Sequence, residues 1–184
     1  KLKESDILKG VLEPTNEGYA LAKISVLKLI NFSNKELGKT HKTIIPCNIY
    51  GKYDSFNENK SHLVPAIIKK TLDYKRKIIE KIIIWGKGDA RREFMFAEDL
   101  ADFILNYFLD EDIPDVINVG AGKDYSILEY YQMVSKILKL DVKFDFDLNK
   151  PVGMNSKLLD VSKQGLLGWK PKHSIYSGLK KTIK

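Results

Sequence analysis

The chain has 184 residues, 43% of them hydrophobic, so it can bury a core and its length fits one domain or one domain plus part of another. Lysines and arginines outnumber acids by 31 to 24, a formal net charge of +7, yet the basic residues are scattered and not interleaved with aromatics, which argues against nucleic acid as a partner. The single cysteine, Cys47, rules out an internal disulfide, and neither a bilayer-spanning run nor a signal-peptide core is visible, so a cytoplasmic protein with no membrane attachment is expected.

In chain order, apolar Leu21, Ile24, Leu27, Leu29 and Ile30 recur near the helical period and predict a helix over 19–37, stopped by Gly38. The β-branched run Thr43-Ile44-Ile45, closed by Pro46, predicts a buried parallel strand. The polar stretch 50–61 reads as a loop, 63–72 as a helix, and 81–85 as an apolar strand closed by Gly86, with Gly88 extending the turn. Leu100, Phe103, Ile104 and Phe108 mark a helix over 98–109, and a strand at 116–119 stops at Gly120 and Gly122. Ser126 with Glu129 forms a capping box for a helix running to about residue 138. Strands are expected near 142–146 and 158–161, and Ile175, Leu179 and Ile183 mark a last helix.

This alternation predicts an α/β fold: a partial doubly wound, Rossmann-like parallel sheet lacking its N-terminal half, plus a smaller mixed α/β domain. The missing part is the strand, glycine-rich turn and helix that hold a dinucleotide pyrophosphate, of which nothing occurs before Tyr19. Residues 1–60 are expected to belong to the Rossmann-like part and 61–184 mainly to a substrate domain, with a segment near 92–119 returning to the sheet.

The chemistry-bearing pattern is Tyr19-x-x-x-Lys23, which places a phenol and an ammonium on one helical face. Around it stand Pro14-Thr15-Asn16-Glu17, Pro46-Cys47-Asn48-Ile49-Tyr50-Gly51, Asn59-Lys60-Ser61-His62 with Pro65, Trp85-Gly86, Arg92-Glu93-Phe94 and Asn118-Val119-Gly120. In order and approximate spacing these motifs resemble, over essentially the whole chain, the extended short-chain dehydrogenases/reductases, and within them the GDP-L-fucose synthase family.

The resemblance implies an NADP(H)-dependent epimerase and reductase converting GDP-4-keto-6-deoxymannose, a GDP-linked deoxyhexose, to GDP-L-fucose. It implies catalytic roles for Tyr19, which protonates the alkoxide during reduction, for Lys23, which supports it and contacts the nicotinamide ribose, and for His62, the acid that reprotonates the enolate. It places Asn48 and Ile49 beside the nicotinamide, and Asn48, Trp85, Arg92 and Lys157 against the sugar nucleotide, Arg92 as the diphosphate clamp. It also implies a possible homodimer through helices that include the one bearing Tyr19, although the same apolar stripe would serve equally as core. Trp85 could likewise be a core residue ending its strand.

Cys47 stands where the family usually has threonine and is expected to be inert. Arg91 is expected to be solvated, Asp99 to complement the start of its helix, and His41 and His173 to lack partners; no spacing suggests a metal site. Without the glycine-rich loop the resemblance implies a C-terminal portion of a longer enzyme, inactive in isolation. Two alternatives stay open: a GDP-sugar or GDP-heptose epimerase/reductase of the same family, and a non-catalytic sugar-nucleotide-binding protein.

Overall fold

The computed structural model describes residues 1–57, 61–150 and 152–184; Asn59 and Lys60 of the Asn-Lys-Ser-His motif lie outside the described residues. Two short 3₁₀ turns, Glu4–Asp6 and Pro14–Asn16, precede helix α1, Glu17–Leu37. Gly38 ends α1 in the left-handed region at φ +60°, where its N–H bonds the Asn34 carbonyl, the termination a glycine permits without Cβ strain. Strands β1 (Thr43–Pro46) and β2 (Asn48–Tyr50) follow, then α2 (Leu63–Lys75), β3 (Ile82–Trp85), β4 (Arg91–Phe96) and α3 (Ala97–Tyr107). After these come β5 (Val116–Val119), β6 (Asp124–Ser126), α4 (Ile127–Ile137), β7 (Phe144–Asp147), β8 (Ser156–Lys157), α5 (Ser162–Leu166) and α6 (Ile175–Ile183).

The strands form three small sheets. β1 pairs in parallel with β5, from Thr43 opposite Val116 to Pro46 opposite Val119. β4 is the centre of a four-stranded mixed sheet, parallel to β2 and β8 and antiparallel to β6. β3 and β7 pair in parallel. No helix among the described residues is long and apolar enough to cross a membrane.

Two hydrophobic cores lie on opposite sides of β4, because its side chains alternate between them. Phe94 and Phe96 join Tyr50, Ile67, Ile82, Tyr130 and Leu179, whereas Met95 joins Cys47, Phe103, Ile117, Val119 and Trp169. On the Met95 side the Glu93 carboxylate is buried, with no cation within ion-pair distance among the described residues. Its oxygens accept the Gly122 N–H at 2.7 Å and the Leu159 N–H at 2.8 Å. Burial pushes this carboxyl above its ordinary range, and those backbone donors oppose the shift.

Several expectations change. The segment 91–96 is a strand, although its charged first half and consecutive buried Phe94, Met95 and Phe96 hide the two-residue period. Tyr50 is not loop but the buried end of β2, its hydroxyl donating to the Ile175 carbonyl at 3.2 Å. The extended segment expected at 158–161 is reduced to a bridge between Leu159 and Leu2, and the strand lies earlier, at β8. Arg91 is exposed on 44% of its side chain but is also held: Nε donates to Asp124 Oδ1 at 3.0 Å and Nη2 to the Asp124 carbonyl at 2.9 Å. His173 has partners too, with Nδ1 2.8 Å from buried Asp99 and Nε2 3.8 Å from Glu98. Asp99 thereby does more than complement its helix: it accepts the backbone N–H groups of Lys172 and His173 and fixes the turn before α6. Of the α1 stripe Leu27 is buried, Ile24 and Ile30 are half-buried and Leu21 and Leu29 are exposed, and beside it Val26 and Phe32 are each more than half exposed.

Candidate active site

The Pro-Thr-Asn lead-in folds as a capped 3₁₀ turn, Glu13 accepting both the Thr15 N–H at 3.1 Å and the Thr15 hydroxyl at 2.7 Å. This turn launches α1, so Tyr19 and Lys23 occupy its opening turns. The Lys23 ammonium lies over the Tyr19 ring, 5.6 Å from its centroid, and the tyrosine is 62% exposed. The tyrosine is therefore accessible to a ligand. Among the described residues, no hydrogen bond or ion pair joins the Tyr19–Lys23 pair to the other candidate residues.

Asn48 begins β2 opposite Phe94, and its side-chain amide donates to the Glu93 carbonyl at 2.8 Å, which ties the β1–β2 junction to β4. Ile49 packs against the core containing Met95. Neighbouring Cys47 is buried, and burial together with the nearby Glu93 carboxylate pushes its thiol up to about 12, so it stays protonated and unreactive. His62 stands at the N-terminal boundary of α2 in extended conformation, exposed, with its carbonyl accepting the Ala66 N–H.

A second cluster gathers at β3, β4 and β8. The alternation of β3 buries Ile82 and Ile84 and turns Ile83 and Trp85 outward, so Trp85 is 55% exposed and is not a core residue. Two ammonium groups face its ring, Lys70 at 6.0 Å and Lys150 at 5.5 Å from the centroid. Val152 then packs on Gly86, whose φ of +65° favours glycine, and Gly153 approaches the Arg92 guanidinium. Arg92 and Lys157 are directly opposite on the β4–β8 ladder, hence on one face. Like charges in that position repel, and among the described residues neither has a carboxylate within ion-pair distance. Arg92 Nη1 is held by the carbonyls of Arg91 at 2.7 Å and Met154 at 2.6 Å, which orients the guanidinium while leaving donors for an anion.

Sequence reasoning overlooked Lys150, whose only signal was its place before the strand bearing Lys157. It also gave no role to Glu93 and Asn118, although both lie inside motifs that were noticed. Among the described residues no glycine turn cradles a pyrophosphate: the turn after β5 gives its Gly122 N–H to Glu93 and leads into β6. The described residues thus present the Arg92 and Lys157 cations on one face, and among them no glycine-rich turn that would hold a dinucleotide pyrophosphate.

Residues 1–120 match a family model described as the NAD dependent epimerase/dehydratase family. The chain is 51% identical over 185 residues to a GDP-L-colitose synthase of Yersinia pseudotuberculosis, covering 98% of this chain and 59% of that protein. It is 48% identical over 182 residues to a GDP-L-fucose synthase of Azorhizobium caulinodans, covering 98% and 58% respectively. Among solved structures it resembles a GDP-D-glycero-L-gluco-heptose synthase of Campylobacter jejuni, with a TM-score of 0.84 at 27% identity, covering 99% of this chain and 63% of that one. The chain therefore spans less than two thirds of the length of these relatives.

Proposed function

The chain belongs to the NAD dependent epimerase/dehydratase family, and from that premise we propose that it forms the sugar-nucleotide side of an NADP(H)-dependent epimerase/reductase acting on a GDP-linked deoxyhexose. The observation that carries this reading is the Arg92–Lys157 pair, two cations set side by side on one face with no carboxylate within ion-pair distance among the described residues. A diphosphate relieves their repulsion, the guanidinium fork matches its oxygens, and Trp85 offers a flat apolar surface to the rest of the ligand.

The finer reading is conversion of GDP-4-keto-6-deoxymannose to GDP-L-fucose. In the epimerisation a base contributed from outside these 184 residues takes a proton from a carbon next to the ketone to give the enolate, and His62, exposed at the α2 boundary, gives one to its opposite face. In the reduction Tyr19 gives its phenolic proton to the alkoxide forming at the former carbonyl, while Lys23 holds the phenol in place and offsets the developing negative charge. NADPH, when bound, supplies the hydride. Asn48 holds the strand end beside the reacting centre through its bond to the Glu93 carbonyl. Hydride transfer belongs to the longer polypeptide that the relatives represent, and the 184 residues themselves bind the GDP-sugar. A second reading, favoured by the 51% identity to a GDP-L-colitose synthase, keeps the reductase chemistry and changes the deoxysugar.

Titration calorimetry of the chain with GDP and with NADPH tests the proposal. Binding of GDP without measurable binding of NADPH is expected; failure to bind GDP refutes it. In the longer polypeptide, NADPH oxidation by competing ketosugars decides between the two readings.

A further inference from the structure

We infer that Asn118 is a positioning residue, a buried latch that holds the segment leading toward the Tyr19 helix against the strand that carries Lys157. The inference rests on the site reading above. Asn118 lies on β5 and is 2% exposed. Its side-chain amide uses both hydrogens, donating to the Leu2 carbonyl at 2.9 Å and to the Asp160 carbonyl at 3.1 Å. Its backbone N–H donates to Glu4 Oε1 at 2.9 Å. One residue thus grips both the N-terminal segment and the segment following β8.

The two gripped segments also bond each other. The Leu2 N–H donates to the Leu158 carbonyl and the Asp160 N–H to the Leu2 carbonyl, both at 2.8 Å, in a parallel bridge. Glu4 Oε2 lies 3.8 Å from Lys163 Nζ, and that ammonium donates to the Val116 carbonyl at 3.1 Å. From Leu159 the network continues to the Glu93 carboxylate at 2.8 Å, beside Arg92, which pairs across the ladder with Lys157. Hydrogen bonds thus tie Glu4 and Asn118 to the Leu158–Asp160 segment and that segment to Glu93, the chain neighbour of Arg92, whose ladder partner is Lys157.

Asparagine suits this place because it presents two donors from a short, rigid side chain; aspartate has the shape without the donors, and alanine has neither. Loss of the amide leaves the Asp160 carbonyl without this donor and the Leu2 carbonyl with the Asp160 N–H alone, which favours separation of both segments from β5. An asparagine that served only β5 packing would lower overall stability without loosening those two segments together. The latch does the reverse: the two segments open together, Leu159 with them, while the core of Phe94, Phe96 and Tyr130 on the other side of β4 persists.

Hydrogen exchange on the unaltered chain and on Asn118→Ala, with GDP titration of both, tests the latch. Protection of the Leu2, Leu159 and Asp160 amides should fall together while α4 amides keep theirs, and GDP affinity should weaken by about tenfold. Glu4→Gln, which keeps an acceptor for the Asn118 N–H, should preserve both properties. Protection lost from one segment alone, or from neither, overturns the inference, as does unchanged GDP affinity when both have loosened. Should Asn118→Ala not fold, Glu4→Ala releases the same segment from the chain's periphery and must lower protection at Leu2. If the unaltered chain does not bind GDP, the site reading falls and the binding half of this inference falls with it, whereas the exchange result stands or fails independently.

Discussion

Replacing Gly120 by alanine tests whether Glu93 is the knot that joins β4 to the β5–β6 turn. A Cβ at position 120 would stand 2.5 Å from Glu93 Oε1 and 3.1 Å from its Cδ, too close for either atom. The carboxylate has no room to retreat, since Glu93 is 1% exposed and its two oxygens hold the N–H groups of Gly122 and Leu159. Moving it breaks at least one hydrogen bond to a charged acceptor, so a loss of about 2–4 kcal/mol is expected. For a chain of this length that lowers the melting temperature by roughly 5–15 °C. Gly165→Ala is the matched control: Gly165 lies in α5 with nothing within 4 Å of its Cβ position, and alanine there should gain about 0.5–1 kcal/mol. Urea unfolding followed by circular dichroism at neutral pH compares the two. If Gly120→Ala behaves like Gly165→Ala, the carboxylate is not held as described and the argument for Glu93 as a junction fails.

Three further outcomes are expected. Arg92→Lys should weaken GDP binding by about tenfold through loss of the bidentate fork, whereas Arg91→Lys should leave affinity intact and lower stability, because Arg91 is committed to Asp124; calorimetry and thermal melts separate the two, and equal loss of affinity would disprove the assignment. Asp99→Ala should cost about 2–4 kcal/mol, since it strands the N–H groups of Lys172 and His173; a protease-resistant α6 in that variant would show that the turn is held by other means. Stability should decline as pH rises above about 9. The unfolded Cys47 thiol ionises near its ordinary 9.0 while burial holds the folded one to about 12, so the unfolded state sheds its proton first. Buried Tyr50, Tyr130 and Tyr131, all raised by desolvation, act in the same direction from their ordinary 10.0 upward. Urea midpoints at pH 8 and pH 10.5 check this, and a flat profile would contradict it.

The sequence by itself determined what local chemistry controls. The α1 periodicity and its Gly38 stop, the run Thr43-Ile44-Ile45-Pro46 as a parallel strand, though a half-buried and not a buried one, and the Ser126–Glu129 capping box all appear in the structure, the box with its reciprocal bonds at 3.1 and 2.6 Å. Each is a signal written within a few consecutive residues, where spacing alone sets which groups meet. The motif order likewise made the family legible, and it marked the candidate site residues without saying which of them approach one another. β2, β6 and β8 have three, three and two residues, too few for a periodic signal, and they exist because β4 supplies partners from distant parts of the chain. The outward turn of Trp85, the side-by-side cations Arg92 and Lys157, and the grip of Asn118 on Leu2 and Asp160 depend on register between segments far apart in sequence. Such contacts were decided only by the tertiary structure, because a buried hydrogen bond or a strand register is chosen by whichever partner the folded chain delivers, and no local pattern encodes that choice.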